Sequence, residues 1–159
     1  MRTQIPAVVL GAALLATVTA CGSSQQPNHP AAAPAAAPAI QGVQVQTAES
    51  SLGQILVDQN GRTLYAFTND KGGASNCTGQ CIATWPALVS RQPAQPGPGV
   101  NRLLLAETTR AEGTTQATYG AWPLYYYAGD IGPGDVDGQG VDGVWFVVGA
   151  DGKLIRTTS

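Results

Sequence analysis

Leu64-Tyr65-Ala66-Phe67-Thr68-Asn69-Asp70 returns 60 residues later as Leu124-Tyr125-Tyr126-Tyr127-Ala128-Gly129-Asp130. Both copies read Leu-Tyr-x-aromatic-x-x-Asp. The same offset carries Gly53 onto Gly113, Gly72 onto Gly132 and Trp85 onto Trp145. Self-similarity at a fixed period indicates a repeated structural unit. The expectation is one domain of two similar halves, about 53–91 and 113–151, in which Tyr65 and Tyr125, Asp70 and Asp130, and Trp85 and Trp145 hold equivalent places.

The strand signals run through both halves. Ile55-Leu56-Val57 is followed by Asp58-Gln59-Asn60-Gly61, and Asn-Gly is a strong turn signal because both residues tolerate positive φ. Arg62 to Thr68 then forms a returning strand, with Tyr65 and Phe67 on one face. In the second half, Leu103 to Thr109 and Thr114 to Thr118 flank a turn containing Gly113. Trp122-Pro123-Leu124-Tyr125-Tyr126-Tyr127 is the most aromatic strand. Its Pro123 lacks a donor N–H and belongs at a strand start or an edge. Val144 to Val148 is apolar on both faces, and Leu154 to Thr157 closes the chain as a last strand. Arg91 to Gly99, rich in proline and glycine, is the loop between the halves. The fold class is all-β, a mostly antiparallel sheet domain built from two similar halves, with one short helical turn.

That turn is Asn76-Cys77-Thr78-Gly79-Gln80-Cys81-Ile82-Ala83-Thr84-Trp85-Pro86. Cysteines at i and i+4 share a face of a helical turn, within the α-carbon spacing a disulfide tolerates. Asn76 can cap the turn and Pro86 ends it. Two readings stand for Cys77 and Cys81. One is a staple that seats Trp85 in the core. The other is a redox dithiol, although its spacing is not the Cys-x2-Cys of thioredoxin-like sites.

The N-terminus reads as an address. Arg2 precedes the apolar run Ile5 to Ala20, which is too short for a membrane span of about 20 residues but suits a secretory signal. Val18-Thr19-Ala20-Cys21 resembles the lipobox of bacterial lipoproteins. The resemblance implies cleavage before Cys21 and a diacylglycerol thioether on its sulfur, with further acylation of the new amino group. Two or more acyl chains hold a protein to a bilayer where one barely does. Residues 1–20 are thus a signal peptide, 21–47 a lipidated N-terminus and Pro/Ala-rich linker, and 48–159 the two-repeat β domain. The linker cannot offset the entropy of folding, and its Ala-Pro runs act as semi-rigid spacers.

Composition narrows the chemistry. The chain has 8 Lys+Arg against 10 Asp+Glu, with no basic stripe, so no nucleic-acid partner is expected. The single histidine, His29, lies in the linker. A Ser-His-Asp or Cys-His site, or a histidine-bearing zinc site, therefore cannot be assembled in the folded part. Asp135, Asp137 and Asp142, spaced by glycines, resemble part of a calcium loop, but position five and the closing Glu are missing. Neither metal nor cofactor is expected.

Taken together, the lipobox, the Pro/Ala linker, Leu56-Val57-Asp58-x-Asn60-Gly61-Arg62-Thr63-Leu64-Tyr65, the Trp122-Pro123-Leu124-Tyr125-Tyr126-Tyr127 run and Gly138 to Val148 resemble the bacterial secreted-repeat lipoproteins with a Tyr-x4-Asp motif. The resemblance covers about 52–157. Tyr65, Asp70, Tyr125 and Asp130 match the motif. The family has no established activity, so the resemblance implies an address and a duplication but no catalytic residues. The second half departs from the first where Asp137 and Val141 stand in place of the cysteines.

Three classes of function follow. The first is a non-catalytic binding or scaffold module of the envelope, on the outer face of the bacterial cell membrane. Its groove would be lined by Trp122, Tyr125, Tyr126 and Tyr127, together with the motif residues Tyr65, Asp70 and Asp130, and would stack on a glycan or a partner protein. The second is an accessory of extracytoplasmic electron transfer or thiol redox. The third is a hydrolase using Asp70 and Asp130 as a carboxylate pair.

Overall fold

The computed structural model describes residues 42–157. The signal stretch, Cys21 and most of the linker lie outside them. Eight short strands and one α-helix appear in the order β1 (Gln44–Ser50), β2 (Gly53–Asp58), β3 (Tyr65–Phe67), α1 (Gln80–Thr84), β4 (Gln95–Pro96), β5 (Leu105–Thr109), β6 (Thr115–Tyr119), β7 (Trp122–Pro123) and β8 (Trp145–Val147). Two 3-10 turns, Arg102–Leu104 and Val141–Gly143, complete the list. Pairing is antiparallel except between β1 and β4. Strand β1 begins at Gln44 with Val45 fully buried, so the β domain reaches back into the stretch read as linker.

The centre is built from the duplicated motif. Strand β3 pairs with β8, and on its other side Tyr65 N–H and C=O both bond to Tyr125, at 2.8 and 2.9 Å. Tyr125 in turn bridges to Ala87. Four segments therefore lie side by side, around 146, 66, 125 and 87, and their bonds repeat under exchange of the halves. Thr68 N–H to Val144 O is matched by Ala128 N–H to Thr84 O, both 2.9 Å. Leu56 N–H to Val148 O is matched by Ala117 N–H to Leu88 O. These pairs define a pseudo-twofold axis between Tyr65 and Tyr125.

The last example departs from the offset of 60, since Leu56 falls on Ala117. In the first hairpin Ser50 pairs with Gly53, whereas in the second Arg110 N–H bonds Thr114 O across a turn one residue longer. The turn after β6 is one residue shorter, and Leu64 and Leu124 restore the offset. Gly53 and Gly113 are thus not structural equivalents; Gly113 is the inserted turn residue, with φ of 83°.

Alternation along these short strands buries both faces, which is why the motif is apolar throughout. Leu64, Ala66, Leu124, Leu88 and Val148 face one cluster with Val45, Leu56, Ala117 and Tyr119. Tyr65, Tyr125, Val147, Trp85 and Trp145 face the other with Ile55, Val57 and Cys77. Several sequence expectations are shortened. The returning strand is three residues long rather than Arg62 to Thr68. The aromatic strand reduces to Trp122–Pro123 plus a bridge at Tyr125, and Leu154 to Thr157 contributes one bridge, to Val148. Pro123 sits on an edge, as its missing donor requires. Helix α1 starts at Gln80, and Asn76 does not cap it; its side chain donates instead to Asn69 O at 2.8 Å.

Candidate functional site

The axis passes through a block of aromatic side chains. Trp85 and Trp145, one from each half, stack with centroids 3.9 Å apart and planes within 2°. Phe67 stacks on the outer face of Trp145 at 4.3 Å, and Tyr127 lies on the outer face of Trp85 at 4.4 Å. The rings of the two motif tyrosines stand edge-on to this stack, Tyr65 to Trp85 at 5.4 Å and Tyr125 to Trp145 at 5.2 Å. Such edge and offset contacts suit the ring quadrupoles. Trp85 and Trp145 are 4% and 3% exposed, as expected of equivalent residues.

The Tyr-x4-Asp motif closes across the axis. After each strand a tight turn brings the aspartate round, with Asp70 N–H to Phe67 O and Asp130 N–H to Tyr127 O. Each carboxylate then meets the tyrosine of the other half. Tyr65 Oη donates to Asp130 Oδ2 at 2.9 Å, and Tyr125 Oη donates to Asp70 Oδ2 at 2.8 Å. Each aspartate also accepts a backbone N–H, Asp70 from Asn76 at 2.7 Å and Asp130 from Asp137 at 3.1 Å. Within one copy Tyr and Asp diverge. The repeated motif is a reciprocal lock between the halves.

The two locks differ electrically. Around Asp70 the buried Arg110 donates to Ser75 Oγ at 2.7 Å, Gln116 Oε1 at 2.8 Å and Cys77 O at 2.8 Å, and it also pairs with Glu112. Ser75 Oγ lies 2.7 Å from the Tyr125 hydroxyl. Around Asp130 the neighbours are acids, Asp135 and Asp137. Burial raises the pKa of both aspartates above the ordinary 3.8. Bonds from Asn76 and Tyr125 and the charge of Arg110 oppose the rise at Asp70, whereas Asp137 and Asp135 add to it at Asp130. Burial, reinforced by the facing carboxylates, holds the phenols of Tyr65 and Tyr125 well above their usual range. A third pair, Tyr126 Oη to Asp58 Oδ2 at 3.0 Å, ties the second motif to the turn after β2, with Arg62 over the Tyr126 ring.

A pH dependence follows. The folded chain binds protons on Asp70 and Asp130 at pH values where the unfolded chain does not. Stability therefore rises as pH falls through their raised folded values toward 3.8. The exposed Glu112 and Asp151, held low by Arg110 and by the Lys153 backbone N–H, act in the opposite sense at lower pH. Melting temperature is expected to hold or rise from about pH 7 to about pH 5, with Asp130→Asn flattening the profile. An identical slope in wild type and variant would remove the assignment.

Of the sequence-derived binding set, Tyr65, Asp70 and Tyr125 are buried and Asp130 is half-buried. Trp122, Tyr125, Tyr126 and Tyr127 do not share a groove. Trp122 and Tyr126 pack on the Leu64 and Leu124 side, while Tyr125 and Tyr127 lie on the tryptophan side. The surface opening on the axis is a depression of about 390 Å³ lined by Phe67, Tyr127, Trp85, Trp145, Cys81 and Val141, with Asn69, Gln80, Thr84 and Asp142 supplying polar groups. Its wall is itself palindromic, since Phe67 answers Tyr127 and Cys81 answers Val141. A larger depression of about 440 Å³ beside Val89, Arg91 and Thr114 has no aromatic lining.

Cys77 and Cys81 form a disulfide, with α-carbons 5.3 Å apart. Cys77 is fully buried against the tryptophan cluster. Asp70 and Asp130 accept from different tyrosines and occupy separate hydrogen-bond networks. In the glycine-rich loop Asp135 Oδ2 accepts Ile131 and Gly132 N–H at 2.9 and 2.7 Å. Among the described residues no three of His, Cys, Asp and Glu converge as a metal site. The loop's Gly138 is pressed so closely on Tyr65 and Trp85 that a Cβ there would lie 2.8 Å from the Tyr65 ring. Sequence reading missed Arg110, Gln116, Ser75 and Asp58. Arg110 reaches Ser75 and the Cys77 carbonyl, and Asp58 reaches Tyr126, across distant parts of the chain. Gln116 bonds Arg110 and Leu124 six and eight residues away, at spacings that no local motif marks.

The fold and site define a two-repeat β domain locked across a pseudo-twofold axis by exchanged Tyr–Asp pairs. A family model described as a secreted repeat of unknown function matches residues 46–89 and again 107–149, and the chain belongs to that family. Neither the curated proteins nor the solved structures yield a match. Among the described residues no helix is long and apolar enough to cross a membrane.

Proposed function

We propose that this secreted-repeat protein is a lipid-anchored, non-catalytic binding module of the cell envelope, held by acyl chains on Cys21, and that it takes glycan in the depression on the axis. The observation that carries the reading is that opening. It sets Phe67 and Tyr127, the half-buried outer rings of the stack, beside amide, hydroxyl and carboxylate groups of Asn69, Gln80, Thr84 and Asp142. Apolar ring surface flanked by such groups complements the C–H faces and hydroxyls of a sugar. A volume of about 390 Å³ also falls within the usual range of small-molecule sites. Asp142 holds a positive φ of 52° at the rim, an uncommon conformation for a residue with a side chain.

Two experiments test the two parts. Cys21→Ala is expected to move the protein from the membrane pellet to the soluble fraction without changing its melting temperature. Retention in the pellet after a high-salt wash would remove the anchor. Trp85 and Trp145 line the opening, so their fluorescence reports occupancy. Titration with N-acetylglucosamine oligomers is expected to give a saturable change that Tyr127→Ala abolishes. A flat titration, or one unaltered by Tyr127→Ala, would eliminate this glycan class.

A further inference from the structure

We infer that the Tyr65–Asp130 pair is a one-electron oxidation site, connected to the surface through the stacked rings of Trp85 and Tyr127. The inference goes beyond the glycan reading and needs no ligand in the opening.

Three geometric facts carry it. First, the rings form a continuous path. Tyr127 and Trp85 are 4.4 Å apart, Trp85 and Trp145 3.9 Å, and Tyr65 meets Trp85 at 5.4 Å. Indole and phenol are the most readily oxidised aromatic side chains, and at ring contact an electron vacancy passes directly between them. Second, a phenol that loses an electron becomes a very strong acid, so a base must lie within hydrogen-bond reach of its proton. Asp130 Oδ2 is 2.9 Å from Tyr65 Oη. Burial and the facing carboxylate keep Tyr65 protonated until then. Third, the surroundings favour this copy over its twin. Protonating Asp70 would leave Arg110 without that carboxylate's charge beside it, in a site where Asp70 is 4% exposed. Asp130 is half-exposed and faces Asp135 and Asp137, so it can take the proton and pass it to water. Among the described residues none hydrogen-bonds the Tyr127 hydroxyl, which leaves that ring an entry point and not a terminus.

A high-potential one-electron oxidant of the ferryl or metal-complex class takes one electron from Trp85 by way of Tyr127 and is itself reduced by one. Tyr65 gives one electron to the Trp85 radical cation while its phenolic proton moves to Asp130 Oδ2. The products are neutral Trp85, a neutral Tyr65 radical and a protonated Asp130. A quinol or ascorbate-class donor returns the electron, and the proton goes back to the phenolate oxygen.

Flash photolysis of the full chain with photogenerated tris(bipyridine)ruthenium(III), read by transient absorption and electron paramagnetic resonance, tests this. The unaltered protein is expected to form a neutral tyrosyl radical more slowly in D2O than in H2O. Tyr65→Phe should lose the tyrosyl signal and leave a tryptophan radical, while Tyr125→Phe keeps it. Asp130→Asn should slow tyrosyl formation by about 10²-fold. Circular dichroism and thermal melts confirm that each variant is folded, and the isotope effect needs no variant. A tyrosyl signal that survives Tyr65→Phe but disappears in Tyr127→Phe overturns the inference. So does the absence of both an isotope effect and an Asp130→Asn effect.

Discussion

Truncating Trp85 to Ala is expected to lower the stability of the domain by about 3–5 kcal/mol, and Trp145→Ala by a similar amount. Each indole is nearly fully buried and touches rings of both halves: its twin, the outer ring of the stack and a motif tyrosine. Removing either opens a cavity that the rigid bridge between Tyr65 and Tyr125 prevents from collapsing. Such a loss is a large share of the stability of a small domain. Because the indoles are in direct contact, the double variant should cost less than the sum of the singles. Chemical denaturation monitored by far-ultraviolet circular dichroism measures all three. Strict additivity, or a loss under about 1 kcal/mol for either single variant, would mean that the stack does not hold the halves together.

Arg110→Ala should be of comparable size, about 3–5 kcal/mol, for a different reason. Arg110 is 5% exposed and satisfies Ser75, Gln116 and the carbonyl of Cys77 at once. Its removal leaves Gln116 Oε1 and the Cys77 carbonyl buried without that donor, each a desolvation cost. It also removes the cation that opposes the raised pKa of Asp70. Arg110→Lys should recover only part of the loss, because an ammonium cannot present the planar fork that reaches three acceptors. The variant should also steepen the gain in stability on acidification, since Asp70 would titrate higher. If Arg110→Ala melts within about 0.5 kcal/mol of wild type, as an ordinary surface substitution would, the network has been misjudged.

Much of this architecture is legible in the residues. A seven-residue motif repeated at one offset announces two halves, and period-two alternation with apolar residues on both sides announces strands covered on both faces. Cysteines four apart outside the cytoplasm announce a disulfide, which the structure forms between Cys77 and Cys81. Even the like burial of Trp85 and Trp145 follows from their matched positions. These features are local, or are comparisons of one local stretch with another, and a linear text carries such information directly.

The meaning of the motif is not local. Read along one strand, Tyr65 and Asp70 have no reason to meet, and in the structure they do not. Tyr65 meets Asp130 and Tyr125 meets Asp70 because the halves lie antiparallel about an axis through their backbone bridge. No spacing within one copy encodes that exchange. Likewise Gly53 and Gly113 match in the text and part in space, because a longer hairpin turn and a shorter second turn cancel along the chain but not in the strand between them. The four aromatics 122, 125, 126 and 127 look like one surface in sequence and are divided by the pleat. The duplication, the all-β class and the disulfide partners are written in the chain, since each depends on neighbours or on a repeated pattern. The crossed Tyr–Asp locks, the two-sided opening and the placing of Arg110 in the Asp70 network arise only in the fold, which brings together side chains 35 or more residues apart.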